Sequence, residues 1–210
     1  MTTTDTRLGV AAFDFDGTIT TRDTLLGFMF AAGGPPRAAR ALLRTGPALA
    51  AGFNNSAKRD LAKERTLGLV FKGRSMAEIE QAGHEYAGSL TRLFRPATLE
   101  RIAWHKSQEH RLVIVSASLV YYLRPIAESL GFESVIGVEL AADSTGRATG
   151  QLARPNVRCE EKATRLRAWL EEKAIESPRI WAYGDSSGDE HLLQMADHPT
   201  WVGKRSSRNP

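Results

Sequence analysis

An apolar stretch that ends in two carboxylates constrains the fold of this chain more than any other feature. Residues 8–13 carry no polar side chain, and Asp14 and Asp16 follow within three positions. A continuous apolar run of this length is typical of a central parallel strand that is covered on both faces. In an extended chain, residues two positions apart face the same side. We therefore predict a buried strand whose carboxyl end holds two acids, which need a cation or a proton between them.

Beyond residue 95, apolar strands alternate with helical segments. Strands are predicted over residues 112–116, 134–140, 180–184 and 200–203, and helices over 97–108, 119–130 and 160–173. The turn residues at 143–146 and Gly150 add a predicted hairpin. Alternation with short connections indicates an α/β fold, namely a Rossmann-like, doubly wound and mostly parallel sheet with helices on both faces.

A helical insert follows the first strand. Residues 21–95 show helical periodicity and no strand that is bounded by turns. A segment inserted directly after the acidic strand end can cover that end like a lid. We therefore predict a catalytic core of residues 1–20 and 96–210, with an α-helical cap domain of residues 21–95.

Start and stop signals divide the insert into four predicted helices. They cover residues 25–30, 38–51, 57–71 and 76–93. Gly and Pro at residues 46–47 predict an interruption of the second helix. Residues 54–56, Asn-Asn-Ser, predict the cap of the third helix, and Ser75 with Glu78 predicts a capping box for the fourth.

The composition predicts a chain that folds without disulfides. Of its 210 residues, 42% are hydrophobic, which is enough for a sizeable core, and Cys159 is the single cysteine. The first seven residues lack the basic-then-apolar order of a signal peptide, and no apolar run approaches the roughly 20 residues of a membrane span. We therefore expect a cytoplasmic protein.

The basic residues are spread along the chain, although the formal net charge is +4. Two clusters stand out: Arg37, Arg40 and Arg44 at near-helical spacing, and the tail at residues 204–208. Neither cluster is interleaved with the stacking aromatics of a single-strand binder. A solvated helix face and a frayed terminus account for them, so we predict no nucleic-acid partner.

Polar residues follow the apolar strands at positions that converge in such a sheet. Besides Asp14 and Asp16, these residues are Ser116, Asp185 and Asp189, and Lys162 near a helix start reaches the same edge. Ligands of open α/β sheets bind at the carboxyl ends of the strands. Several carboxylates without a His or Cys cluster favour Mg²⁺ over Zn²⁺. Singly, Ser116 and Ser118 are typical helix caps.

The order of these motifs resembles the four-motif signature of the haloacid dehalogenase superfamily. The motifs are residues 14–18 (Asp-Phe-Asp-Gly-Thr), Ser116, Lys162 and residues 184–189 (Gly-Asp-Ser-Ser-Gly-Asp). The helical insert after the first motif resembles the cap of the phosphoserine-phosphatase-like branch, subfamily IB. The resemblance covers nearly the whole chain and implies a phosphatase that hydrolyses small phosphomonoesters.

The resemblance also implies catalytic roles. Asp14 is expected to attack phosphorus and form an aspartyl-phosphate. Asp16 is expected to protonate the leaving oxygen and then deprotonate the attacking water. Mg²⁺ is expected at the Asp14 carboxylate, the Asp16 backbone carbonyl and Asp185, with Asp189 in support.

Phosphate-binding residues are implied in the same way. Ser116, with the neighbouring N–H groups at Ala117, is expected to bind phosphate oxygens, and Lys162 to screen their charge. Gly17 and Thr18 are expected to shape the loop around them.

The implied substrate is a small phosphorylated metabolite, for which phosphoserine is one candidate. Phosphoserine phosphatases usually have Ser at the position of Gly17 and a Glu shortly after the first motif, where the nearest acid here is Asp23. Arg59 and Arg65 in the cap are candidate partners of a substrate carboxylate.

Several alternatives stay open from the sequence. A phosphomutase or phosphotransferase uses the same aspartyl-phosphate, and an inactive binding relative retains the fold. A receiver module combines similar residues but has no helical insert after its first strand. The apolar and basic cap segments at residues 25–30 and 37–53 suggest a membrane-surface lysophospholipid phosphatase, although packing of the cap's own core is the favoured explanation.

Overall fold

A computed structural model of the protein describes residues 7–51 and 56–203. Its strands in chain order are β1 (Gly9–Phe13), β2 (Arg111–Leu119), β3 (Ser134–Val138), β4 (Leu140–Ala142), β5 (Ala148–Leu152), β6 (Arg179–Gly184) and β7 (His198–Trp201). Five of them form a sheet in the order β3-β2-β1-β6-β7, in which every pairing is parallel. The strands β4 and β5 form a separate antiparallel hairpin.

Eight α-helices surround these strands within the described ranges. They are α1 (Leu25–Gly33), α2 (Pro35–Ala51), α3 (Ser56–Phe71), α4 (Met76–Ser89), α5 (Pro96–Ser107), α6 (Val120–Leu130), α7 (Glu160–Glu172) and α8 (Glu190–Gln194). The sheet order reverses direction beside β1, so right-handed crossovers place helices on both faces. The predicted fold class, a doubly wound parallel sheet with a helical insert after the first strand, is confirmed.

The central strand β1 is buried at all five positions. Its last residue, Phe13, lies beside Ile114 of β2 and Tyr183 of β6 in the parallel register. Strands β1 and β6 therefore end side by side, whereas β2 continues past this line to Leu119, so that Ser116 lies inside β2 at the same edge of the sheet. This is where the sequence places its polar residues.

Helix α2 continues through Pro47, so the predicted interruption is wrong. A residue before proline normally avoids the helical conformation because its Cβ meets the ring, but Gly46 has no Cβ. The helix is also held from outside, since the Thr66 hydroxyl of α3 donates to the Thr45 hydroxyl at 2.7 Å.

Helix α4 begins without the predicted capping box, because the Ser75 side chain makes no capping hydrogen bond. The N–H of Met76 instead donates to the carbonyl of Gly146 at 2.9 Å, so the β4–β5 hairpin satisfies this helix end. The helix ends at Ser89, and a 3-10 turn (Thr91–Leu93) completes the predicted span. The predicted caps at residues 54 and 55, the Ser56 side chain and the basic tail at residues 204–208 lie outside the described residues.

The β4–β5 hairpin belongs to the chain beyond the cap but is bonded to the cap. The N–H of Gly73 donates to the carbonyl of Ala148 at 2.7 Å, and the N–H of Ala148 donates to the carbonyl of Arg74 at 2.9 Å. Helix α3 also packs on β5. The hairpin therefore braces the cap against the core.

Over residues 7–51 and 56–203, none of the helices is long and apolar enough to cross a bilayer.

Candidate active site

A cavity of about 570 Å³ opens between the carboxyl edge of the sheet and the cap. Most of the residues predicted for the site line it: Asp14, Asp16, Gly17, Ser116, Ala117, Lys162, Asp185 and Asp189. Thr18 lies outside the lining and is fully buried beneath it. Its hydroxyl has no hydrogen-bond partner within the described part of the chain, while its carbonyl accepts from the Thr98 hydroxyl at 2.8 Å.

Asp14 and Lys162 form a buried ion pair at the bottom of the cavity. The Lys162 ammonium donates to Asp14 Oδ1 at 2.6 Å and to Asp189 Oδ1 at 2.5 Å. Burial raises the pKa of Asp14 to about 8, although Lys162 lowers it. The anionic form of Asp14 therefore depends on positive charge beside it, which the Lys162 ammonium supplies here.

Asp16 is held by three donors. Its Oδ1 accepts from the Thr24 N–H at 2.8 Å and from the Thr24 hydroxyl at 2.6 Å, and its Oδ2 accepts from the Ser118 hydroxyl. Burial raises the pKa of Asp16 to about 6, while these hydrogen bonds lower it. Thr24 was not predicted, and Ser118 serves this acid instead of capping α6, whose N-terminus has no side-chain cap.

Three carboxylates lie close enough to hold one cation. One oxygen each from Asp14, Asp185 and Asp189 can be chosen so that all lie within 4.8 Å of one another. Asp185 packs against Gly17, where an added Cβ would lie 2.3 Å from Asp185 Oδ2, and the φ of Gly17 is +83°. A side chain at this position would strain the backbone and displace the Asp185 carboxylate, which favours glycine here. Burial raises the pKa of Asp185 as well.

Asp189 organises the loop that carries Asp185. Its Oδ2 accepts from the N–H groups of Asp185 and Ser186 at 3.2 and 3.0 Å and from the Ser186 hydroxyl at 3.0 Å. Its Oδ1 accepts from Lys162. Both oxygens are thus engaged, so Asp189 supports the cluster, whereas Asp185 has the freer carboxylate. The predicted convergence of these two acids, four residues apart, is observed.

The model of the haloacid dehalogenase-like hydrolase family matches residues 11–194 of this chain. The chain belongs to the haloacid dehalogenase-like hydrolase family. Protein CicA of Caulobacter vibrioides is 34% identical over 192 residues, covering 90% of this chain and 83% of that protein.

Two further comparisons are with phosphatases. Histidinol-phosphatase of Neisseria meningitidis serogroup C is 29% identical over 102 residues, which cover 47% of this chain and 46% of that protein. A solved structure of a phospho-aspartyl intermediate analogue of phosphoserine phosphatase has the same fold, with a TM-score of 0.62 and 19% identity over 90% of this chain and 84% of the other. The predicted family is confirmed, and with it the expected hydrolase class.

A lysine of the cap, Lys63, also lies at the site of this hydrolase and was not among the predicted residues. Lys63 of α3 donates to the carbonyl of Ala117 and, at 2.9 Å, to Asn156 Oδ1, while Asn156 donates to Asp60 at 2.7 Å. Burial lowers the pKa of Lys63 to about 8. Helical spacing was the available signal, since Asp60, Lys63 and Leu67 lie on one face of α3 and all line the cavity.

The candidate cap residues of this hydrolase reach the cavity unequally. Asp23 and Arg59 line it, whereas Arg65 is exposed on α3 and is not among the lining residues. The Asp23 Oδ1 atom accepts from the N–H of Leu25 at 3.0 Å, so this acid is already used at the start of α1.

Proposed function

We propose that this hydrolase is a Mg²⁺-dependent phosphatase that cleaves small phosphomonoesters through an aspartyl-phosphate. The observation that carries the proposal is the Asp14 carboxylate, which is bonded to Lys162 beside Asp185 and Asp189 and lines the same cavity as a second acid, Asp16. A nucleophile, an acid and a cation site are the groups that such a phosphoryl transfer needs.

The first step forms one bond and breaks another. A carboxylate oxygen of Asp14 attacks phosphorus, the bond from phosphorus to the ester oxygen breaks, and Asp16 gives its proton to the leaving alkoxide. In the second step, Asp16 takes a proton from water, whose oxygen attacks phosphorus and releases phosphate from Asp14. The raised pKa of Asp16, about 6, suits a group that carries a proton in one step and lacks it in the next.

The donor set fits Mg²⁺. Carboxylates are hard oxygen ligands, and burial keeps the pKa of Asp14 near 8 even with Lys162 alongside, so a further cation favours the reactive anion. We assign the ion to Asp14, Asp185 and the Asp16 backbone carbonyl, with Asp189 in support. Bound there, Mg²⁺ would neutralise phosphate charge.

The phosphate oxygens are assigned to Ser116, to the N–H groups near Ala117 and to Lys162. Ser116 is buried inside β2, two residues beyond the position that pairs with the end of β1, and its hydroxyl accepts from the N–H of Ser118 at 3.2 Å, leaving the hydroxyl proton free for a ligand. Gly17 and Thr18 shape the loop that follows Asp16.

A cytoplasmic location is also part of the proposal, because a single cysteine, Cys159, suits a reducing compartment.

An amphiphilic substrate is the second candidate. The cap side of the cavity carries an apolar wall, and the volume of about 570 Å³ is in the range of drug-sized ligands. The wall consists of Leu25, Leu26, Met29, Leu42 and Leu67. A lysophosphatidate would place its chain on this wall, whereas phosphoserine or histidinol phosphate, the substrate types suggested by the similar phosphatases, would leave it uncovered.

Phosphate release from a panel of esters tests the proposal. The panel contains phosphoserine, phosphocholine, phosphoethanolamine, histidinol phosphate and a lysophosphatidate, each with Mg²⁺ and with a chelator. We expect release from at least one ester with Mg²⁺ and none with chelator. Analysis of products with a sugar phosphate separates a hydrolase from a phosphomutase, because only the mutase returns the phosphate to a second hydroxyl.

Asp14→Asn is expected to abolish turnover, by at least about a thousandfold, because an amide does not act as the nucleophile. The circular dichroism spectrum should remain that of the folded protein. Asp143→Asn, in the exposed hairpin turn, is the matched control and should retain activity. Turnover by Asp14→Asn at the wild-type rate would contradict the assigned nucleophile.

A further inference from the structure

Arg158 lines the cavity but has no role in the proposed chemistry. Within residues 7–51 and 56–203 its side chain forms no hydrogen bond and no ion pair, and its Nη1 atom is buried without a partner. A buried guanidinium nitrogen without an acceptor is unfavourable, because it has lost water and gained nothing in exchange. Lys162, by contrast, is bonded to two carboxylates.

The loop before α7 holds Arg158 in this position. The N–H of Arg158 donates to the carbonyl of Asn156, and the N–H of Cys159 donates to the carbonyl of Gly188, both at 2.9 Å. Cys159 has a φ of +53°, which is strained for a residue with a side chain and persists only where the surroundings impose it. A strained, doubly bonded turn therefore sets the direction in which Arg158 leaves the backbone.

The side chain of Arg158 lies on the loop that carries Asp185 and Asp189. A Cβ on Gly188 would be 3.3 Å from both Cγ and Nε of Arg158, so the absence of a side chain there makes room for the arginine. The guanidinium is thus on the core side of the cavity, next to the acidic loop. Asn156, two residues earlier, is already bonded to Lys63 and Asp60 of the cap.

We propose that Arg158 binds a second anionic group of the substrate, which would make the substrate a phosphomonoester that also carries a carboxylate or a further phosphate. This inference rests on the proposed phosphatase function. The planar guanidinium presents paired donors that match a carboxylate or a phosphate, and a neutral substrate tail would leave its charge uncompensated. The reacting phosphate has Lys162 and Ser116 as its partners, so Arg158 serves the distal group.

Titration calorimetry with Mg²⁺ on the Asp14→Asn protein tests this without turnover. The ligands are glycerol 3-phosphate, which has no second anion, 3-phosphoglycerate, which adds a carboxylate, and glycerol 1,3-bisphosphate, which adds a phosphate. We expect at least one of the two doubly anionic ligands to bind tenfold or more tightly than glycerol 3-phosphate. The tighter of the two identifies the kind of anion.

Arg158→Gln, added to the Asp14→Asn protein, should reduce the ratio of the two affinities, doubly anionic ligand over glycerol 3-phosphate, to within about twofold of unity. Arg154→Gln, which removes an exposed arginine from the same loop, is the matched control and should keep the preference. An equal preference in Arg158→Gln, or none in the parent protein, would overturn the inference. Equal weakening of all three ligands would do the same, because Arg158 would then serve the reacting phosphate.

Arg158→Lys keeps the test decisive if the glutamine variant does not fold. Lysine retains the positive charge but lacks the paired donors of a guanidinium, so the preference for the doubly anionic ligand should fall at least threefold. An unchanged preference would refute the role of Arg158. Failure of the proposed function is detected separately. Wild-type protein that releases no phosphate from any ester contradicts the phosphatase function. An enzyme that releases phosphate but binds doubly anionic ligands no more tightly than glycerol 3-phosphate contradicts only the second anion site.

Discussion

At the scale of single residues, the acids of the site differ in how many hydrogen bonds they accept. This difference matches the role proposed for each acid. Both oxygens of Asp189 are occupied by Lys162 and by loop donors, which suits a supporting residue. Asp16 accepts from Thr24 and Ser118, which orient its carboxyl group. Asp14 keeps one oxygen without a donor among the described residues, which suits a nucleophile.

Thr24→Val is expected to raise the pKa of Asp16 further. The Thr24 hydroxyl stabilises the ionised carboxylate, so its removal favours the protonated acid, and a hydrogen bond to a charged group corresponds to about one to two pKa units. If Asp16 must be protonated to release the alcohol, activity persists to higher pH. The alkaline limb of kcat/KM against pH should therefore move upward.

The matched control for this profile is Thr91→Val, which changes an exposed threonine in the short turn after α4. Its pH profile should coincide with that of the wild type. A Thr24→Val profile that shifts toward lower pH would show that Asp16 is not the proton donor.

At the scale of elements, the cap is attached to the core through the β4–β5 hairpin as well as through its own ends. Gly68 of α3 faces the backbone of β5, where an added Cβ would lie 2.5 Å from the carbonyl oxygen of Gly150. A backbone contact of this kind cannot be relieved by a rotamer change. Close approach of α3 to the hairpin therefore depends on a glycine in the middle of a helix.

Gly68→Ala is expected to lower the free energy of unfolding by about 1–2 kcal/mol, because the overpacking cost exceeds the gain in helix propensity. Gly88→Ala in α4 is the matched control, since nothing lies within 4 Å of its added Cβ. It should raise the free energy of unfolding by up to about 1 kcal/mol. Urea denaturation measures both, and equal stabilisation by the two substitutions would contradict the contact with β5.

At the scale of the whole molecule, we expect the free energy of unfolding to depend on pH through a histidine in the core. His105 of α5 is fully buried, with Nε2 2.8 Å from the Tyr183 hydroxyl of β6 and Nδ1 2.7 Å from Nδ1 of His110. Burial lowers the pKa of His105 to about 3. The histidine of the unfolded chain has an ordinary pKa near 6.5. Between this pH and about 3, the unfolded chain therefore binds a proton at His105 that the folded protein does not bind.

Stability is expected to fall as the pH drops from 6.5 toward 3, by up to about 1.4 kcal/mol per pH unit from this residue. His105→Gln removes the titrating group, so its deficit in unfolding free energy relative to wild type should shrink between pH 7 and pH 5. His84→Gln, at an exposed position of α4, should show a constant difference. A deficit of His105→Gln that stays constant with pH would contradict this origin.

Much of the fold and of the site followed from the sequence. The apolar runs predicted all five parallel strands, and the acids after them met at one edge because neighbouring parallel strands end together. Helix boundaries held to within a few residues, except where contacts distant in sequence intervened. At Pro47 the preceding glycine and the bond from Thr66 kept α2 continuous, and at Ser75 the hairpin replaced the side-chain cap.

The sequence by itself determined the order of the elements and the placement of Asp14, Asp16, Lys162 and Asp185 at one edge of the sheet, because hydrophobic periodicity and strand order depend on nearby residues. Only the tertiary structure decided which donors hold Asp16, that the hairpin braces the cap, and that Arg158 lines the cavity without a hydrogen-bond partner among the described residues. These features depend on distances between segments far apart in the chain, which the packing of the cap on the core sets.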